Sequence, residues 1–178
     1  EPKSFSISVD GEPAFRPLDS SIHLKLSAMS FRLPPQQTRI MFYEAKADTL
    51  PAWFIIYSTF AGFPPQSGLN VQVQLPHTVY LLQKEPLERS HVQVRLAQHQ
   101  SEAKRVVVEL ENSGPCLGRV LEVEVSAGQD KASSPGFPLL PQSQRRLEIA
   151  WEAAEPPEKL LIRFKGFNIE APLFARRE

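Results

Sequence analysis

A chain of 178 residues with 42% hydrophobic content can hold one large domain or two small ones with real cores. Its twenty basic and twenty acidic residues cancel, which excludes the strongly basic face of a nucleic-acid-binding domain and gives no ground for binding anionic membranes. The lone Cys116 excludes an internal disulfide and a cysteine-built zinc site, and no apolar run approaches the roughly eighteen residues of a membrane helix.

The 17 prolines and 8 glycines punctuate short alternating runs, so the chain reads as strands separated by rigid turns. Phe5, Ile7 and Val9 alternate up to the turn dipeptide Asp10-Gly11. Ile22, Leu24 and Leu26 alternate with His23 and Lys25. Ser30 to Leu33 is extended, and Pro34-Pro35-Gln36-Gln37 is a turn. A strand is predicted over Thr38 to Tyr43, with Ile40 and Phe42 set against Arg39 and Met41. Glu44 to Asp48 is the nearest approach to a helix and is too short to be one. Trp53 to Phe60 is aromatic and β-branched enough for a strand covered on both faces.

Leu69 to Leu82 then carries Leu69, Val71, Val73 and Leu75 on one side and Asn70, Gln72 and Gln74 on the other. Pro76 cannot donate to a ladder, which places this strand on a sheet edge. An exposed edge with a row of aliphatic side chains is a liability unless something pairs with it. Strand addition to a partner is the productive form of that pairing.

Lys84-Glu85-Pro86 marks a boundary, because a second alternating series follows. It runs through Val92, Val94 and Leu96, then Val106, Val108 and Leu110, then Leu121, Val123 and Val125. It continues through Leu147, Ile149 and Trp151 to Leu160–Phe164. The fold class is all-β, with two modules over residues 1–86 and 87–178. A seven-stranded immunoglobulin-like sandwich takes about 100 residues; the second module fits, while the first is short and offers about six strands, for which a missing opening hairpin is one explanation.

The order of these motifs resembles the periplasmic chaperones of the chaperone–usher pilus pathway. The residues that carry the resemblance are Trp53-Phe54-Ile55-Ile56-Tyr57, the Pro64-Pro65 loop, the run from Val71 to Leu82 and, upstream, Ser30 to Tyr43 (SFRLPPQQTRIMFY). In the second module, Val106 to Pro115 resembles that family's strand ending in an asparagine turn, and Leu139 to Ser143 its proline turn. The resemblance implies two immunoglobulin-like β-sandwich domains in a boomerang arrangement, located in the periplasm. It implies a chaperone that stabilises pilus subunits by donor-strand complementation and delivers them for assembly, with an outer-membrane usher as a further partner. The implied subunit-binding donor residues are Leu69, Val71, Val73, Leu75, Val79 and Leu81.

That family anchors the subunit's terminal carboxylate with an arginine on its first strand and a lysine on its donor strand. Here the lysine position falls at Tyr80 and no strand matches that family's first one, so Tyr80, Lys84 and Arg89 are the candidate cleft contacts, with Arg95 a further basic residue of the second domain. The uncapped edge also allows a self-capping dimer. The alternative function is a structural immunoglobulin-like pilus or cell-surface protein.

Catalysis is not expected. His23, His77, His91 and His99 have no metal-ligand spacing, no cofactor fingerprint occurs, and Ser101-Glu102-Ala103-Lys104 reads as a charged turn rather than a nucleophile and its base. Trp53, Phe54 and Trp151 are expected in cores. Arg145-Arg146 is expected on a solvated strand face, turned away from Leu147 and Ile149.

Overall fold

Most of the period-2 runs form strands, as expected, and no α-helix occurs among the described residues. The structure is a computed structural model that describes residues 1–60 and 72–175, the last two by backbone only. Contacts divide the chain into two units: Glu1–Ser6 with Phe15–Leu82, and Ile7–Ala14 with the residues from Gln83 onward.

In the first unit, β1 (Pro2–Ile7), β2 (Pro13–Pro17), β5 (Ala52–Phe60) and β6 (Val73–Leu81) form a sheet in the order β2-β1-β5-β6. Gly11, at φ 93°, makes the tight turn between β1 and β2 that the Asp10-Gly11 pair predicts. A separate two-stranded sheet joins β3 (Ile22–Leu26) to β4 (Tyr43–Ala47). Its inward residues meet in register as Ile22 with Ala47, Leu24 with Ala45 and Leu26 with Tyr43. The buried core is small: Ile22, Phe54, Ile56 and Val79, with Leu18, Leu24, Leu26, Ala45, Ala47, Ala52 and Leu81 packed around it only partly covered. Phe54, Ile55 and Ile56 are consecutive and all buried, so β5 is covered on both faces.

The second unit contains β7 (Val92–Gln100), β8 (Arg105–Asn112), β9 (Gly118–Ala127), β10 (Asp130–Pro135), β11 (Pro138–Leu139) and β12 (Ser143–Ala150). It ends with β13 (Lys159–Phe164), β14 (Asn168–Pro172) and β15 (Phe174–Ala175). One sheet runs β12-β8-β7-β15 and the other β10-β9-β13-β14, with β11 also on β9. Both sheets feed a single sandwich-like core. Val106, Val108 and Leu110 from the first and Val120, Val123, Val125 and Ile162 from the second are all fully buried.

Asn112 closes this core at one end. Its side chain is wholly buried, donates to the carbonyls of Cys116 (2.8 Å) and Leu140 (3.0 Å), and accepts from the Gly114 N–H (3.0 Å). The asparagine turn is therefore a satisfied polar clamp. Trp151 is buried, and its indole N–H donates to the Glu155 carbonyl at 2.8 Å.

Four sequence expectations change. Thr38 to Phe42 is not a strand; the strand is Tyr43–Ala47, which overlaps the stretch Glu44 to Asp48 that looked closest to a helix, because β3 offers it a ladder in register. Leu121 is exposed rather than inward. The β9–β13 register slips between Arg163 and Phe164, pairing them with Glu122 and Val120, so Leu121 is the extra residue and Val120 takes the core position. A slip between Val94 and Leu96 on β7 likewise buries Ala97 instead of Leu96. Arg145 shares the face of Leu147 and Ile149; its guanidinium lies 5.6 Å from the Phe137 ring centre, and only Arg146 turns outward, to Glu109.

Candidate strand-addition edge

β6 lies at the end of its sheet, and the hydrogen-bond parity of β5 fixes which of its backbone groups look outward. The Tyr57 N–H donates to the Glu1 carbonyl at 2.9 Å. Backbone groups alternate sides along a strand, so Trp53, Ile55 and Tyr57 serve β1, while Phe54, Ile56, Ser58 and Phe60 serve β6. Their partners on β6 are Val79, His77, Leu75 and Val73. Gln74, Pro76 and Thr78 consequently turn their backbone groups to the side where no strand lies among the described residues. Pro76 has no N–H to leave unsatisfied there, which is why it is tolerated.

Side chains on β6 follow the opposite parity, so Val73, Leu75, His77, Val79 and Leu81 share one face. That face is half covered. Val79 is buried and Leu81 packs against the same core. Further along, Val73 is 39% exposed and Leu75 54% exposed, and Phe60, directly across from Val73, is 38% exposed. These three form an apolar extension of the core that nothing among the described residues covers.

Charge is absent from the whole region: no Asp, Glu, Lys or Arg occurs between Asp48 and Lys84. Edge strands are ordinarily blunted with charges, so β6 keeps only Pro76 as a safeguard. His77 accepts or donates a 3.2 Å hydrogen bond with the Tyr43 hydroxyl.

The predicted donor residues thus separate into groups. Val73 and Leu75 are exposed side by side, Val79 and Leu81 belong to this chain's own core, and Leu69 and Val71 lie outside the described residues. Of the proposed cleft contacts, Tyr80 is half-buried on β6, Lys84 is exposed, and the Arg89 guanidinium donates to the Val92 carbonyl at 3.1 Å within its own turn. Arg95 is engaged by Glu111, whose carboxyl the guanidinium holds below the usual range.

The other candidate groups are dispersed. Ser101 to Lys104 forms the turn between β7 and β8, closed by a 3.1 Å bond from the Lys104 N–H to the Ser101 carbonyl. His23 bonds Asp48, His77 bonds Tyr43, and no group of three or more metal-ligating side chains comes together among the described residues.

Sequence reasoning did not identify a second apolar surface, the arm between β3 and β4. Met29, Phe31, Leu33, Ile40 and Phe42 are all exposed there. The Pro34–Gln37 turn closes its tip, with Arg39 over the Phe31 ring at 4.8 Å. Comparison with known proteins matched no family model, no curated protein and no solved structure.

Proposed function

We propose that this protein binds other proteins by lending the edge of β6, acting as a periplasmic chaperone that caps pilus subunits until assembly. The observation that carries the reading is the uncovered, uncharged outer half of β6, where Val73 and Leu75 stand exposed beside a row of outward backbone groups. A subunit fold with an open groove supplies the complementary surface. Fully burying an aliphatic side chain contributes about 1.5–3 kcal/mol, so Val73, Leu75 and Phe60 together with ladder hydrogen bonds can sustain a stable complex. An immunoglobulin-like identity for both units belongs to the same proposal; the strand order of the second unit, with β12, β8 and β7 facing β10, β9, β13 and β14, supports it.

Co-purification from a native periplasmic extract, with wild type and Val73→Asp compared, tests the reading. A charge forced into an apolar groove has no compensating partner, so a small β-rich protein captured by wild type and lost from the folded variant is the expected result. Capture that survives the substitution, or no capture by wild type, favours a structural surface protein instead.

A further inference from the structure

Two buried side-chain nitrogens have no hydrogen-bond partner among the described residues, His91 Nδ1 and Arg145 Nη1. The imidazole can carry its proton on Nε2, which leaves only a bare acceptor at Nδ1. A guanidinium has no such escape, because it keeps its charge and all five N–H donors. Buried donors without an acceptor are rare in folded proteins, and each calls for an acceptor from elsewhere.

The surroundings of Arg145 hold it in place without satisfying it. Phe137, in the link between β10 and β11, lies beside the guanidinium with its ring centre 5.6 Å away. The Asp10-Gly11 turn, which belongs to the second unit, also covers it. That turn is fixed to β12 by the Arg146 N–H, which donates to the Val9 carbonyl at 2.7 Å, and by the Arg146 guanidinium, 3.6 Å from the Asp10 carboxylate. A methyl group added at Gly11 would overlap Nη1 and Cζ of Arg145, so only glycine lets the turn close over the arginine. Nη1 is thereby shut away. Nε and Nη2, equally without an acceptor among the described residues, stay within reach of solvent. They form the side-on edge that a carboxylate grips with two parallel hydrogen bonds.

Arg145 lines a cavity of about 300 Å³ together with Asp10, Arg146, Leu147 and Glu148. The other charges there are engaged: Arg146 by Glu109 and Asp10, and Glu148 by Arg105 at 2.7 Å. Arg145 is the uncompensated charge of the cavity, so its ligand is an anion. Asp10 and Glu148 repel a dianion or a polyphosphate, and Leu147 supplies an apolar wall. We infer that this cavity binds a small monocarboxylic acid with an apolar body, its carboxylate side-on to Arg145 and its body against Leu147. The site shares no residue with the β6 edge and stands whether or not that edge donates to a subunit.

Magnetic resonance of the isotope-labelled full chain tests the site, with benzoate as the probe. Two signals are read, the Arg145 Nε–H and the Leu147 amide; the first is assigned by its absence from Arg145→Lys. Benzoate is expected to shift both saturably in the millimolar range. Benzyl alcohol, with the same ring and no charge, and inorganic phosphate should not. Arg145→Lys keeps the charge but loses the two-point grip, and should weaken binding at the Leu147 amide by at least about tenfold. Arg145→Gln should abolish it. The Trp151 indole N–H, buried and bonded to the Glu155 carbonyl, reports that each variant is folded; if Arg145→Gln is not, the Arg145→Lys comparison decides. No saturable shift with benzoate, or a shift unchanged by either substitution, overturns the assignment. Benzyl alcohol bound as tightly as benzoate would mean an apolar crevice only, and phosphate bound as tightly would refute the monocarboxylate class.

Discussion

The second unit closes its core and the first does not. In the second, two sheets of comparable size enclose a buried cluster that runs from Leu87 to Ile169. In the first, among the described residues, a four-stranded sheet is accompanied only by the β3–β4 pair, and the buried cluster shrinks to Ile22, Phe54, Ile56 and Val79. Among the described residues, every exposed large hydrophobic side chain except Leu121 belongs to the first unit. The sequences of the two units are equally apolar in pattern. What differs is how many strands are present to cover the apolar faces, so exposure here reports incomplete layering rather than a polar fold.

The contrast can be broken by truncating matched leucines. Leu110→Ala removes a wholly buried side chain from β8 and is expected to cost about 4 kcal/mol. Leu75→Ala should change stability by no more than about 0.5 kcal/mol. Urea unfolding measures both, and a comparable loss for the two would mean that β6 is covered along its whole length in solution. Asn112→Ala comes next, at about 3 kcal/mol, because it strands a buried N–H and the carbonyls it served.

A smaller effect sharpens the distinction between units. Ile22→Ala should cost about 2 kcal/mol, toward the low end for a buried isoleucine because its surroundings can collapse. Calorimetry should show the loss in a separate, lower-temperature transition that leaves the second unit's transition in place. One transition shifted as a whole would show that the units unfold together.

The smallest effect concerns acid. In the second unit, Lys131, then Arg163, hold the Glu124 carboxyl below its usual range, and Arg95 does the same to Glu111. A carboxylate whose folded pKa is depressed contributes stability fully present above its unfolded value, about 4.3, and lost as pH falls through the lower folded value. Both groups are near the surface, so the contribution is modest. Glu124→Gln should flatten the decline of the urea midpoint below about pH 4.5; an unchanged slope would assign the acid sensitivity elsewhere.

The strands were largely legible because period 2 is a strong signal wherever one face is covered. Val106, Val108 and Leu110, or Phe54 to Ile56, announce their burial directly. Leu121 and Leu96 were misread because a bulge resets the phase, and bulges depend on the opposing strand rather than on local sequence. β4 was missed because Tyr-Glu-Ala-Lys-Ala has low strand propensity and forms one only against β3. The edge position of β6 was readable from Pro76. Its division into a buried half and an open half was not, since that depends on which strands of the opposite sheet are present.

Pro76 carries one more consequence. Copies of a chain that stack edge to edge into a fibril must satisfy every rung of an in-register ladder, each N–H meeting a carbonyl in the next copy. The outward row of β6 lacks the rung at Pro76, in the middle of a region with no charges to repel a neighbour. A single partner strand can bulge past that gap, whereas an endless repeat of identical strands would inherit the defect at every layer. One imino acid therefore leaves the edge of β6 without a continuous ladder for stacked copies.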